Sequence, residues 1–541
     1  MKWLIGVAAA LVVLVVAAVL ALPLLVDTPR VQGLIATSAA QALGRPVRFA
    51  SVSVALLPLP AIELRGLEVA EDPAFGTTPF LKLERGRVRL RLRALLTGHV
   101  EFGELLLDRP AIALVQGADG RFNVASLGGG AAEVRGPARP GRGNGGAGGP
   151  QGPGAAALGS RLRITRGVVT YTSRAARGPA ARWRIEDLDL TLANGGPALT
   201  FEGDARLAPG DVTAKIRDGR LALDGRGLLE APLAARVTLA GKDVSALAAA
   251  LAGPATGVGG PVRGTLAVTG TLGAPRATGD LEFASLRVAR VNAACPEPRR
   301  RTLVLDGLTL AAAWQDGRFT GRPVTARLAG GTLTANLTAA LERGGRVRVA
   351  ALAIKALPIE RVLVDFLCQG YAVAGPLDLT GALAFSAADP WGTLSGPGQL
   401  RVGPGRVVGA QALRLMDGVV RVGGAVSALL SADVPTSLFA SPLEFDSIAG
   451  TYQIANGVAT TRDLLYTSRA MKVAVAGDYA LGTGRMNLTL LVNHGRGEVK
   501  AIVTGTAAAP SIRVVPTSLL RDVSPQQVES GLQDLLRRFR R

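Results

Sequence analysis

Cysteine and histidine are nearly absent. The 541 residues hold two of each, Cys295 and Cys368, 73 positions apart, and His99 and His494. That number and spacing exclude a Cys/His metal site, so neither metal nor cofactor is expected. General acid–base catalysis most often uses histidine, and the abundant Ser and Asp fit no nucleophile-elbow pattern, so no enzyme and no catalytic residue is expected either. In an exported chain the two cysteines could pair, but their separation reads as two unrelated thiols. Aromatic residues make up 4%. No basic run interleaves them in the way that stacks bases, and the girdles of an outer-membrane barrel are missing. Lysine is scarce too: 7 Lys stand against 54 Arg, scattered along the chain, in a net charge of +20. With so much Ala and Gly, the skew reads as composition, and nucleic acid is not expected as a partner.

What is present is small and aliphatic. A hydrophobic share of 48% excludes wholesale disorder, and 69 Gly with 32 Pro fall short of a collagen or low-complexity chain. After Lys2 the stretch Leu4–Val26 runs 23 residues without a charge. At 1.5 Å per residue it would reach roughly 34 Å, enough for a hydrocarbon core of about 30 Å. A cleavable signal has a shorter apolar region, so a retained transmembrane anchor is favoured, with Leu4, Leu11, Leu14, Leu20 and Leu25 in contact with lipid. A short helix should follow, from the N-cap Thr28 and Pro29 to a stop at Gly44.

From Arg45 onward the period changes to two. Val88, Leu90 and Leu92 alternate with arginines; Leu188, Leu190 and Leu192 alternate with Asp and Thr. The same pattern returns at Val473 and Val475 and at Met486, Leu488 and Leu490. Such segments are strands with one apolar and one wet face. Turn residues every eight to fifteen positions make this an all-β pattern. Internal similarity is weak but present. "VTGTLGAP" from Val268 is matched by "VTGTAAAP" from Val503, and "LRITRGVVTYTS" shares a strand–Gly-Val–strand rhythm with "YQIANGVATT". Repeated hairpins favour an array of units that contact their neighbours. One stretch breaks the pattern. Gly128–Gly159 carries 13 Gly and 4 Pro and reads as a flexible insertion. Its Gly141, Gly143 and Gly146 match a dinucleotide fingerprint by chance, since no strand precedes them.

Several of these features occur together in one known family. Gly44-Arg45-Pro46-Val47, Pro58-x-Pro60 before a strand, and Arg109-Pro110 followed by Asp119-Gly120-Arg121-Phe122-Asn123 resemble the start of AsmA family proteins. "GPLDLTGALAFSAADPWGTLSGPGQLRVGPGRVVG" and the stretch from Phe445 to Val492 are similar to that family's C-terminal region. The resemblance implies a single-pass inner-membrane anchor with the bulk of the chain in the periplasm. It also implies a bridge-like lipid-transfer architecture, linked to phospholipid supply to the outer membrane. The expected fold is all-β dominated. An N-terminal transmembrane helix leads into a long curled antiparallel sheet, a groove of repeated hairpins, with short flanking helices. Periodicity alone leaves a closed two-layer sandwich open as the other arrangement. The expected divisions are 1–27 anchor, 28–127 N-terminal region, 128–160 insertion, 161–370 middle repeats, 371–518 C-terminal β region and 519–541 basic helix. About 30 strands at about 4.8 Å would extend about 140 Å.

The candidate groove lining is therefore Val88, Leu90, Leu92, Leu188, Leu190, Leu192, Val473, Val475, Met486, Leu488 and Leu490. The expected partners are phospholipid and the inner membrane, with outer-membrane or other periplasmic proteins beyond them. A membrane-anchored scaffold that acts through protein contacts is the alternative. At the C-terminus Ser524 and Pro525 open a helix whose Leu532, Leu536 and Phe539 share a face, followed by Arg537, Arg538, Arg540 and Arg541. That helix suits an anionic lipid surface, the closed end of a sheet, or a solvated end with arginines favoured by the helix dipole.

Overall fold

The computed structural model describes residues 33, 36–37, 39–41, 43–55, 61–90, 102–127, 161–174, 181–196, 198–222, 229–253, 257–291, 295–340, 345–368, 372–408, 444–469, 471–493, 498–506 and 509–516. The expected anchor at Leu4–Val26, the insertion and the C-terminal helix lie outside these residues. Among the described residues no helix is long and apolar enough to cross a membrane. The chain divides into two compact units. One is Met1–Leu247 with Val262–Gly279 and Trp314–Asp316; the other is Ala248–Pro261 with Asp280–Ala313 and Gly317–Arg541.

In the first unit the described residues between 33 and 43 that carry regular structure are helical. The helix stops where expected: Gly44 takes φ +69, and Arg45 N donates to Ala40 O at 3.2 Å. Strands follow: β1 (Val47–Arg48), β2 (Ser51–Ala55), β3 (Ala61–Val69), β4 (Leu81–Leu90), β5 (Phe102–Gln116), β6 (Arg161–Ser173), β7 (Ala181–Asn194), β8 (Ala198–Ala208), β9 (Val212–Ala222) and β10 (Leu233–Gly241). A short helix, α1 (Ser245–Ala252), comes next; it runs into Ala248–Pro261, the segment of the second unit that holds β11 (Val258–Gly259), and β12 (Val262–Gly270) belongs to the first unit again. β1 and β2 both pair with β3, and the order then runs β3, β4, β5, β6, β7, β8, β9, β10, β12.

One pair departs from the expected antiparallel sheet. β5 and β6 run parallel, with Glu104 opposite Arg161 and Gln116 opposite Ser173. A parallel pair cannot be joined by a tight turn and needs a dozen or more residues to return the chain. Residues 117–160 make that connection, so the Gly/Pro-rich stretch falls where the topology requires length.

The second unit holds most of β13 (Pro275–Val291) and of β14 (Arg300–Gln315), and β15 (Arg318–Leu328), β16 (Gly331–Ala340), β17 (Arg346–Pro358), β18 (Ala372–Ala374), β19 (Pro376–Ser386), β20 (Gly396–Val402), β21 (Gly405–Val408) and β22 (Glu444–Phe445). The run closes with β23 (Ser447–Ala455), β24 (Val458–Thr467), β25 (Lys472–Ala480), β26 (Arg485–Asn493), β27 (Glu498–Thr506) and β28 (Ala509–Pro516). From β15 the neighbours are β16, β17, β19, β20, β23, β24, β25, β26, β27 and β28, all antiparallel. β18, β21 and β22 form a small separate sheet that continues β19, β20 and β23 past Gly375, Gly403 and Asp446.

The repeats divide in an instructive way. The two VTGT segments build the same turn: a Cβ on Gly270 would come 2.6 Å from Ala274 O, and one on Gly505 would come 2.6 Å from Ala509 O. In each, the threonine that follows accepts a 3.2 Å hydrogen bond, Thr271 from Ala274 N and Thr506 from Ala509 N. The Gly-Val rhythm does not carry over. Asn456-Gly457 is a two-residue hairpin turn with both φ positive, 49 and 74. Arg166-Gly167 instead marks a bulge inside β6, where the register shifts on both sides of Gly167. The expectation of a curled sheet is also corrected: the sheets stand uncurled. In the second unit part of the apolar face is covered locally, by residues 359–368 and by the small sheet.

Candidate functional site

Alternation along each strand, combined with register across the strands, gathers the apolar residues into rows. In the first unit one row runs without a break through Val52, Leu64, Gly86, Leu107, Ile164, Leu190, Gly203, Ile216, Val237 and Leu266, each the register partner of the next. At about 4.8 Å per strand those ten strands extend about 43 Å. Leu64, Leu107, Leu190, Ile216, Val237 and Leu266 remain partly exposed, so this face is not closed like the core of a sandwich. A neighbouring row runs through Ile62, Val88, Leu105, Leu162, Leu192 and Phe201. The candidates Val88, Leu188, Leu190 and Leu192 thus share a face. Leu90 stands opposite Phe102 in register, and Leu92 lies outside the described residues.

The other side of this sheet is charged and self-paired. Arg87 pairs with Glu63, Arg166 with Asp108 at 2.6 Å, and Arg206 with Glu186 at 2.7 Å. The Asp108 carboxyl is held below its usual range, first by its hydrogen bond from Arg166. Two depressions of about 370 Å³ in this unit are lined largely by such groups, including Glu63, Arg87, Asp108 and, in the second, Asp204 with Arg217.

In the second unit a row passes through Leu357, Leu377, Val402, Ile448, Tyr466, Val473, Val492 and Val499. Beside it Leu464, Val475, Leu490 and Ala501 partner in turn, and Leu488 lies opposite Val503. Val473, Val475, Met486, Leu488 and Leu490 therefore lie on one surface. Met486 is buried with Val503, against Tyr479, Leu488, Leu490 and Ile512.

Two features of this surface escaped the sequence reading. The first is a strap. Residues 359–368 leave β17 as a wide helical turn, with Leu367 N donating to Val362 O at 2.9 Å. Ile359 and Val362 pack on the buried cluster of Leu328, Leu357, Leu377, Val402 and Phe445, which the small sheet also covers through Val373 and Val407. Arg361 and Asp365 point outward as a 3.1 Å pair. Phe366 is buried, with its ring 6.2 Å from Trp391, and the Arg290 guanidinium lies 4.5 Å from the other ring system of that contact, Trp391. The strap ends in a disulfide, Cys368–Cys295, with Cα atoms 5.3 Å apart. This corrects the expectation of two unrelated thiols. The segment after β17 and the one between β13 and β14 are neighbours in space, which a separation of 73 residues does not reveal. The second feature is a depression of about 320 Å³, lined by Leu363 of the strap with Leu400, Tyr452, Leu464, Val475 and Leu488. The Tyr452 ring crosses a glycine slot, since a Cβ on Gly398 would come 2.3 Å from its ζ carbon. Burial pushes the Tyr452 phenol up, the charged form being disfavoured there.

The N-terminal motif residues meet in a polar knot. Arg45 and Glu71 form a 3.1 Å ion pair with side chains 3% and 2% exposed. Asn123 Nδ2 donates to Glu71 Oε2 at 2.7 Å and to Ala113 O at 2.8 Å, while its Oδ1 accepts from Val115 N at 3.0 Å. Arg45 Nη2 also donates to Asn123 O and to Ser126 Oγ, and its guanidinium lies over Phe80 at 5.1 Å. Gly44-Arg45-Pro46 and Asp119–Asn123 are thus two halves of one contact, which fixes the segment after the first helix onto the sheet. Glu71 carried no sequence signal of its own.

The candidates Leu4, Leu11, Leu14, Leu20 and Leu25, and at the other end Leu532, Leu536, Phe539, Arg537, Arg538, Arg540 and Arg541, lie outside the described residues. Residues 1–131 match the AsmA family model, which bears out the N-terminal resemblance. No curated protein and no solved structure matches the chain.

Proposed function

With that AsmA family match as the premise, we propose that the chain holds phospholipid acyl chains against the apolar faces of its sheets. It does so from an inner-membrane anchor, and supports lipid transport to, and assembly of, the outer membrane without catalysing a reaction. The observation that carries this reading is the unbroken row of aliphatic residues and glycines across ten strands of the first unit, partly exposed at six of its ten positions. Each methylene withdrawn from water onto such a surface contributes about 0.8 kcal/mol. Small aliphatics and glycines leave room for chains, and the absence of fixed polar groups along the row lets a chain slide from one position to the next. The disulfide supports an oxidising compartment and hence the periplasm. The AsmA family match is consistent with membrane association.

The test is lipid extraction and native mass spectrometry of the full chain, purified in a mild detergent. Several phospholipids per chain are expected. A lipid-free chain with a stable protein partner would instead favour the anchored scaffold.

A further inference from the structure

We propose that the depression beneath Leu363 is a seat for one acyl chain of a phospholipid, closed on its outer side by the strap and kept closed by the Cys295–Cys368 disulfide. The proposal rests on the reading that the apolar faces take acyl chains, and it assigns one bounded position within the second unit.

Three observations lead there. First, the volume of about 320 Å³ is at the lower end of small-molecule sites, which run from about 300 to 1,000 Å³. It suits one chain and not a whole two-chain lipid, so the second chain and the headgroup stay outside. Second, nine of the twelve lining residues are aliphatic, aromatic or glycine, Ala459 among them, beside Thr451, Thr460 and Thr461, and the lining is continuous with the row through Val475 and Leu490. A chain moving along that row meets the depression without crossing a charged group. Third, the strap is fixed at both ends, unlike an ordinary surface turn. At its start Ile359 N donates to Gly375 O at 3.1 Å; at its end Cys368 is bonded to Cys295, and Arg301 Nε donates to Cys368 Sγ at 3.4 Å. Between these points Phe366 and Leu367 are buried and hold the turn down, which sets Leu363 over the depression. A segment tied this way forms a wall, where a free loop would swing away from the face.

The experiment uses the full chain in detergent with phosphatidylethanolamine whose sn-2 chain carries a mid-chain diazirine. After illumination, adducts are mapped by peptide mass spectrometry. Adducts are expected on Leu363, Tyr452, Leu464 and Leu488. Ala459→Trp, which fills the depression, should lower them at least tenfold while adducts on Leu190 and Ile216 of the first unit persist. Cys368→Ser should lower the yield on Leu363 severalfold and keep it on Val475 and Leu488, because the wall is released and the floor is not. The wild-type map decides the matter by itself if a variant fails to fold. Adducts along the rows but none in the depression would overturn this inference and leave the proposed function standing. Adducts nowhere on either unit would overturn both.

Discussion

Glu71→Ala should destabilise the N-terminal end of the first unit by about 3–5 kcal/mol, the range for breaking one partner out of a buried ion pair. Arg45 would keep its charge, with its side chain 3% exposed, and lose the Glu71 carboxylate at 3.1 Å. Asn123 Nδ2 would lose one of its two acceptors. The guanidinium would keep its hydrogen bonds to Asn123 O and Ser126 Oγ, neither of them charged, while its Nε is already buried without one. Both side chains are buried, so the cost exceeds that of a surface pair. Hydrogen exchange on full-length protein provides the local readout. Amides of residues 111–127, among them Val115 N, which donates to Asn123 Oδ1, should lose protection while those of β24 to β27 do not change. Glu71→Gln keeps an acceptor for Asn123 and should cost less. Unchanged protection in Glu71→Ala would mean that the knot does not hold this segment in place.

Cys368→Ser should cost the second unit about 4 kcal/mol, from the chain entropy released when a loop of 73 residues is opened. In a unit of this size that corresponds to a fall of roughly 10 °C in melting temperature. The larger consequence is local. The strap's outward residue Arg361 is exposed, and in the oxidised protein the turn around it is pinned against the sheet. Trypsin should therefore cut after Arg361 much faster in Cys368→Ser, or after reduction with a dithiol, than in the oxidised chain. Equal cleavage would show that Phe366 and Ile359 hold the turn down without help from the disulfide.

What could be read from the sequence depended on whether a feature was local. Alternation at Leu188, Leu190 and Leu192 requires only neighbours two apart, and the structure places them on one face as expected. The helix stop at Gly44 and the turn at Asn456-Gly457 depend on backbone conformations that few residues adopt, so they too were legible. The shared VTGT turn was legible for the same reason. Features set by distant partners were not. The parallel pairing of β5 with β6 depends on which strand lies alongside after residues 117–160, and the composition of that stretch says only that it is long and turn-rich. Arg166-Gly167 looked like a hairpin because a bulge and a turn use the same residue types. The strap's apolar residues, Ile359, Val362, Leu363 and Phe366, have a helical spacing on a segment too short to stand out among strands. Glu71 became visible only when Arg45 and Asn123 were found on either side of it.

On the proposed function, one face of these sheets holds lipid and the other does not. Photo-crosslinking in growing cells tests it most directly, with a benzophenone amino acid placed one at a time at Leu190 and Leu490 on the apolar faces and at Asp189 and Lys472 on the opposite ones. Phospholipid adducts at Leu190 and Leu490, with none at Asp189 and Lys472, are the predicted result. Adducts to protein at all four positions, or lipid adducts without regard to face, would contradict it.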